Sequence, residues 1–336
     1  MRTILPAMPA LAGLTRRRLV LWAAAASPVA FAQRPDVARR VCFLFSSASG
    51  RNMLPAQLLR EGLAEKGWVE GRNLVLDVRV TDVRNPAGTA IAARELLAAP
   101  CDLMVTSTDQ QAAEVARYSG SVPVVFAYGL DPVGLGVVRS LARPGGNITG
   151  YSAMDREIAA KRIQILKELI PRLNRLVVLH PVADDGARAS AAGLAAIAQS
   201  LSIAATPTPY TAANLGLVYA DMSRTGIQAT LSVPSQLAFA VRRELAALAI
   251  QHRIPGIFGS PEFADTGALV SYGVSLNAAF RRAGTLADKI LRGASPSNVP
   301  VEQINVYEFV LNMKTATDMG LRIPNHVMLQ ATRVVG

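Results

Sequence analysis

SVPVVFAYGLDPVGLGVVRSLARPGGNITGYS, residues 121–152, decides the fold. Residues 122–127 are a short apolar run, rich in β-branched side chains and interrupted by one early proline, which reads as a strand buried on both faces. Tyr128-Gly129-Leu130-Asp131-Pro132 then places polar groups at the carboxyl end of that strand, the edge where open α/β sheets bind ligands. Residues 133–141 read as a short helix, and Arg143-Pro144-Gly145-Gly146-Asn147 is a dense turn signal. Residues 148–152 look extended, and a new series of strands and helices begins after them. One lobe ends here and another starts.

Outward from that point the rhythm is regular. Upstream, the run RVCFLF at 40–45 is a first strand, with Ser46 and Ser47 opening the loop at its end. Leu54, Leu58, Leu59 and Leu63 have helical spacing stopped by Gly67. Strands at 74–80 and 102–106 alternate with helices at 86–98 and up to Tyr118. Downstream, strands are expected at 175–179, 202–206, 227–233, 256–258 and 267–273. Helices are expected at 156–169, 187–200, 212–224 and 237–252. A helix at 276–292 has room to return to the first lobe, and 303–311 is strand-like. The expectation is an α/β fold of two Rossmann-like lobes with parallel, doubly wound sheets. The first lobe takes 33–149 with about 275–303, and the second takes 150–274 with about 304–336. Gly150, Tyr151 and Ser152, and Tyr272, Gly273 and Val274, are the expected hinge segments.

Residues 1–32 read as a cleaved export signal. Arg16-Arg17-Arg18 gives a positive start with a twin-arginine look, residues 19–26 are apolar, and Ala30-Phe31-Ala32 fits a cleavage site. The protein is therefore expected in the periplasm, with the twin-arginine and general secretory routes both open. The formal charge is +11, but the basic residues are scattered rather than clustered, which points to a solvated surface and no nucleic-acid partner. Cys42 and Cys101 both fall near strand starts. They read as buried free thiols, with a disulfide open if the strands are neighbours.

Strand ends followed by helix starts supply the candidate ligand-binding residues. In the first lobe these are Ser46, Ser47, Ser107, Thr108, Tyr128, Gly129 and Asp131. In the second they are His180, Asp184, Ser235, Gln236, Ser260, Glu262 and Phe263. Each hydroxyl could equally cap a helix. Asp131 could brace its own loop or meet a ligand cation, and His180 could be a structural histidine. Gly134-Leu135-Gly136 mimics a dinucleotide fingerprint but lacks its third glycine and follows the wrong strand. No nucleophile motif, phosphate loop or histidine cluster is present, so neither an enzyme nor a cofactor or metal site is expected.

The pieces GLAEKGWVEGRNLVLD (62–77), VVFAYGLDPVGLGVVRSLARPGGNITG (124–150), GALVSYG (267–273) and FVLNMKTATDMGLRIP (309–324) together resemble the ABC-transporter substrate-binding proteins that include tryptophan- and tyrosine-type members. The resemblance implies a periplasmic-binding-protein-like fold and closure of the lobes around a small polar or amphipathic solute. It also implies delivery to an inner-membrane ABC permease, by a protein expected to act as a monomer. His180-Pro181 stands where family members carry Asn-Pro, and Val233-Pro234-Ser235-Gln236 stands where an acidic or amide group is expected. These departures point away from an aromatic amino acid as the solute. An exported α/β enzyme and the sensing core of a signalling protein are the alternatives. A regulator would carry a basic helix-turn-helix where this chain has its leader.

Overall fold

Side chains along a strand alternate between faces, and β1 (Arg39–Ser47) uses this to join two cores. Val41, Phe43 and Phe45 enter one core, and Cys42 and Leu44 enter the other. All five are at most 1% exposed, as a strand covered by helices on both sides requires. The computed structural model describes residues 38–47, 52–85, 87–153 and 155–336. The leader, its cleavage site and residues 48–50 of the first loop lie outside the described residues.

The chain from β1 continues through α1 (Leu54–Ala64), β2 (Leu74–Asp82), α2 (Ala87–Leu97), β3 (Leu103–Thr108), α3 (Asp109–Ser119), β4 (Val124–Gly129) and β5 (Ile148–Ser152). It then builds a second layer system from α4 (Asp155–Leu169), β6 (Arg175–Pro181), α5 (Asp185–Ser200), β7 (Ala204–Tyr210), α6 (Leu215–Arg224) and β8 (Ala229–Ser232). This continues through α7 (Gln236–Ala240), α8 (Arg242–His252), β9 (Gly256–Phe258), α9 (Glu262–Asp265) and β10 (Val270–Gly273). Helix α10 (Leu276–Leu291) and β11 (Glu302–Gln303) return to the first lobe. The second is completed by β12 (Glu308–Asn312), α11 (Met313–Asp318), α12 (Asn325–Met328) and β13 (Arg333–Val335).

The first sheet has the order β11-β5-β4-β3-β1-β2, and all its pairings are parallel. The second runs β13-β12-β10-β9-β8-β6-β7 and is parallel except where β12 meets β10. Among the described residues the chain changes sheet after Ala153, between β10 and α10, and between β11 and β12. Gly150, Tyr151 and Ser152 are the last residues of β5, so the first sheet keeps them and the crossing comes after them. Tyr272 and Gly273 end β10, and Val274 begins the second crossing. The expected strand at 303–311 is divided between the sheets, because β11 pairs with β5 and β12 pairs with β10.

Helix α10 is held to the first lobe by close approach to α1. A side chain at Gly62 would run into the backbone carbonyl of Arg281, and one at Gly284 into the backbone of Gly62. Leu59 and Leu63 pack in the same core as Ala283, Leu286 and Ala287. At the second crossing Arg162 of α4 is completely buried, and its Nε donates to the Tyr272 carbonyl at 2.8 Å.

Three expectations are corrected. Residues 133–141 are a series of turns rather than a helix. Asp131 Oδ1 accepts from Gly134 N at 2.9 Å, and Gly136 takes a φ of +69° that breaks helical continuation. The strand expected at 202–206 is instead Ala204–Tyr210, because Ser202 sits at φ 60° and turns the chain. The extended run from 267 starts at Val270, after Gly267 at φ +109°. Cys42 and Cys101 are free thiols in the structure. No helix among the described residues is long and apolar enough to cross a membrane.

Candidate functional site

Parallel strands of both lobes end on a shared cleft, which encloses a cavity of about 700 Å³. Ser46, Ser47, Ser107, Thr108 and Tyr128 reach its wall from the first lobe, and Ser235, Gln236, Ser260 and Phe263 from the second. These are nine of the residues expected from strand-end position. Gly129, Asp131, His180, Asp184 and Glu262 are not on that wall.

Two hydroxyls of the wall, Ser46 and Ser107, are joined through Gln111 in a connected chain. Ser46 Oγ pairs with Thr81 Oγ1 at 2.7 Å and accepts from Gln111 Nε2 at 2.9 Å. Gln111 Oε1 accepts from Ser107 Oγ at 2.6 Å, and Ser107 Oγ accepts from Gln236 Nε2 at 2.8 Å. The last bond crosses the cleft. A second crossing bond runs from Gln110 Nε2 to Asp184 Oδ1 at 2.7 Å. Thr108 and Ser235 also cap their helices, accepting from Gln111 N and Ala238 N at 3.2 and 3.0 Å. Capping and wall position therefore coexist in the same side chains, as both follow from the helix start.

Asp184 caps α5 through Ala187 N at 2.8 Å while receiving Gln110, and it faces a neighbouring space of about 520 Å³. His180 is buried, with Nδ1 3.1 Å from the Pro181 carbonyl. Glu262 accepts from Ser260 Oγ, from Ser275 Oγ at 2.7 Å and from Asn277 N at 3.0 Å. It ties the end of β9 to the start of α10, across the second crossing.

Asp109, at the first position of α3, lines the cavity yet is only 2% exposed. Its carboxylate accepts from Gln110 N at 3.0 Å, Leu130 N at 2.9 Å and Asp131 N at 3.1 Å. Burial pushes its carboxyl up to about 6, against the opposing pull of those backbone N–H groups. Asp109 thus fixes the loop after β4 by accepting two of its backbone N–H groups.

Strand-end reasoning missed the helical side of the site. Phe239, Arg242 and Arg243 come from α7 and the start of α8, and Leu276 and Phe280 from α10. The Arg242 guanidinium lies 4.4 Å from the centre of the Phe239 ring, and NH1 donates to the Phe239 carbonyl at 2.7 Å. Phe239 meets Phe263 edge-on at 6.2 Å, and Phe263 stacks on Phe258 at 4.5 Å. The Arg242-Arg243 pair was visible in the sequence, and only the fold shows that it faces a cavity. No group of three or more histidine, cysteine, aspartate or glutamate side chains with metal-binding geometry occurs among the described residues.

Comparison with known proteins agrees with this geometry. A curated tyrosine-binding protein of Clostridioides difficile is 24% identical over 268 residues, covering 77% of this chain and 75% of that protein. A crystal structure of a conserved domain protein from Vibrio cholerae superposes with a TM-score of 0.81 at 22% identity, over 89% of this chain and 99% of the other. An ABC domain from Streptococcus pneumoniae in complex with L-Trp gives 0.78 at 22% identity, over 88% and 100%. Residues 53–335 match the family of ABC transporter substrate binding proteins. The chain belongs to that family, and is a substrate-binding protein rather than an enzyme.

Proposed function

We propose that this protein captures a small polar or amphipathic solute between its lobes, in the periplasm, and presents it to an inner-membrane ABC permease. The observation that carries this reading is the pair of hydrogen bonds across the cleft, Gln236 to Ser107 and Gln110 to Asp184, beside a cavity walled by both lobes. Contacts made to both sides at once favour the closed arrangement, which is how a ligand drives hinge closure. The crossings after Ala153, after β10 and after β11 are the segments about which the lobes turn, and Glu262 and Arg162 brace the second. Export follows from the leader sequence, with the twin-arginine route as its finer form, and a monomer suits a shuttle.

A thermal-shift screen of the purified protein against amino acids, aromatic acids, nucleosides and sugars tests the reading. A true solute at about 100 times its Kd should add roughly 2.7 kcal/mol of stability. A screen in which no small solute raises the unfolding temperature would count against solute capture.

A further inference from the structure

The cavity carries a cation that no carboxylate of the described residues pairs with directly. Arg242 lines the space, its Nε is buried without a hydrogen-bond partner, and its NH1 bond goes to a neutral carbonyl. No carboxylate of the described residues lies within ion-pairing distance of it. An arginine has five N–H donors and stays charged at any working pH. Burial lowers its pKa and Arg243 adds to that effect, and the more distant Glu262 carboxylate offsets the two only in part. Next to the guanidinium stands an apolar wall made by Phe239, Phe263 and Phe258 of the second lobe, with Phe280 of the first lobe also lining the space.

An ammonium group has no comparable place. The Asp109 carboxylate already receives three backbone N–H groups, and that of Glu262 lies off the wall and is bonded to Ser260, Ser275 and Asn277. Glu244, two residues from Arg242, also lines the space but is exposed to solvent. A solute bearing both charges would have only Glu244 left for its ammonium, where solvent screens the pair.

Granting solute capture as read above, we propose that the solute is an aryl-bearing carboxylate without an ammonium group, its carboxylate on Arg242 and its ring against Phe239, Phe263 and Phe280. The planar fork of the guanidinium matches a carboxylate in two parallel hydrogen bonds. The same side chain closes over the Phe239 ring, so the charged and aromatic parts of the site are one unit.

The test is calorimetric titration of the purified protein with 3-phenylpropanoate and indole-3-acetate, each beside its amino-acid counterpart, L-phenylalanine or L-tryptophan. Phenethylamine and 3-phenyl-1-propanol serve as charge-reversed and neutral controls. At least one acid should bind roughly 10-fold or more tighter than its amino acid, because the ammonium is left desolvated and unpaired. Arg242→Gln should weaken that acid roughly 100-fold. Arg242→Lys, which keeps the charge and loses the fork, should retain part of the affinity and serves if the glutamine variant does not fold. An amino acid that binds as tightly as its acid, acids indifferent to both substitutions, or acids that do not bind at all would each overturn the proposal. If another solute class stabilises the protein in the thermal screen while the acids fail, the ligand assignment alone falls. If nothing stabilises it, solute capture falls as well.

Discussion

Gln236 of the second lobe donates to Ser107 of the first across 2.8 Å, so the two sheets are tied at the point where their strands end. Ser107 in turn donates to Gln111, and Gln111 donates to Ser46. Removing the amide breaks the tie without touching either core. A single hydrogen bond of this kind contributes roughly 0.5–1.5 kcal/mol, which is about a 2- to 12-fold shift toward the open arrangement. Gln236→Ala and Gln110→Ala should therefore each weaken a bound solute by a factor in that range, since only the closed form offers both walls. Affinity unchanged in both variants would show that these bonds do not bias closure.

How much of this was legible before the fold was seen can be traced residue by residue. Ser46, Ser107, Thr108, Ser235 and Ser260 were found because a parallel sheet sends every strand end to one edge, and the sequence shows where strands end. Phe239, Arg242 and Phe280 carry no such local mark. They sit on helices, where an aromatic or an arginine at helical spacing reads as core or as surface until the opposite lobe is placed. The run at 133–141 has helix-like composition, yet Asp131 captures Gly134 N and Gly136 adopts a positive φ, so local hydrogen bonding overrides propensity. The division of 303–311 between two sheets was likewise invisible to a strand pattern, which reports extension and not partner.

Asp109 gives the protein a pH dependence of definite sign. Its carboxyl titrates at about 6 when folded, while the ordinary value is 3.8. Between these values the folded protein holds a proton that the unfolded chain has released, so stability falls as pH rises from about 4 to about 6. The linked free energy is on the order of 3 kcal/mol across that window. Denaturant unfolding of the parent and of Asp109→Asn through this range should show the fall in the parent only. Parallel profiles would assign the dependence to other groups.

The crossing of α1 and α10 is set by glycine. A methyl group at Gly62 would collide with the Arg281 carbonyl, which belongs to backbone and cannot rotate away. Gly62→Ala should destabilise the protein by about 1–3 kcal/mol through overpacking, measured by denaturant unfolding. A neutral result would mean that α10 does not sit so close in solution. The same substitution at Gly193, where nothing lies within 4 Å, is the matched control in a helix.

The two thiols should differ in reactivity. Cys42 is fully buried, and its hydrogen bond with Cys101 together with burial raises its pKa far above the usual thiol range. Cys101 is half-buried, and the same contact lowers its pKa. Because the thiolate is the nucleophile, iodoacetamide on the native protein should label Cys101 and spare Cys42 until the chain unfolds. Labelling of Cys42 first would reverse that assignment.

The most direct test of closure is a distance between the lobes in solution. Ile91 on α2 and Leu217 on α6 are 56% and 75% exposed and stand on different lobes, so both accept spin labels in a Cys101→Ala background. Pulsed electron resonance on the labelled protein should show a broad or longer distribution without solute. It should show a single narrower, shifted one once 3-phenylpropanoate, or whichever solute raises the unfolding temperature most, is added at about 100 times its Kd. A distribution that does not change while calorimetry shows the solute bound would contradict capture by closure of the two lobes.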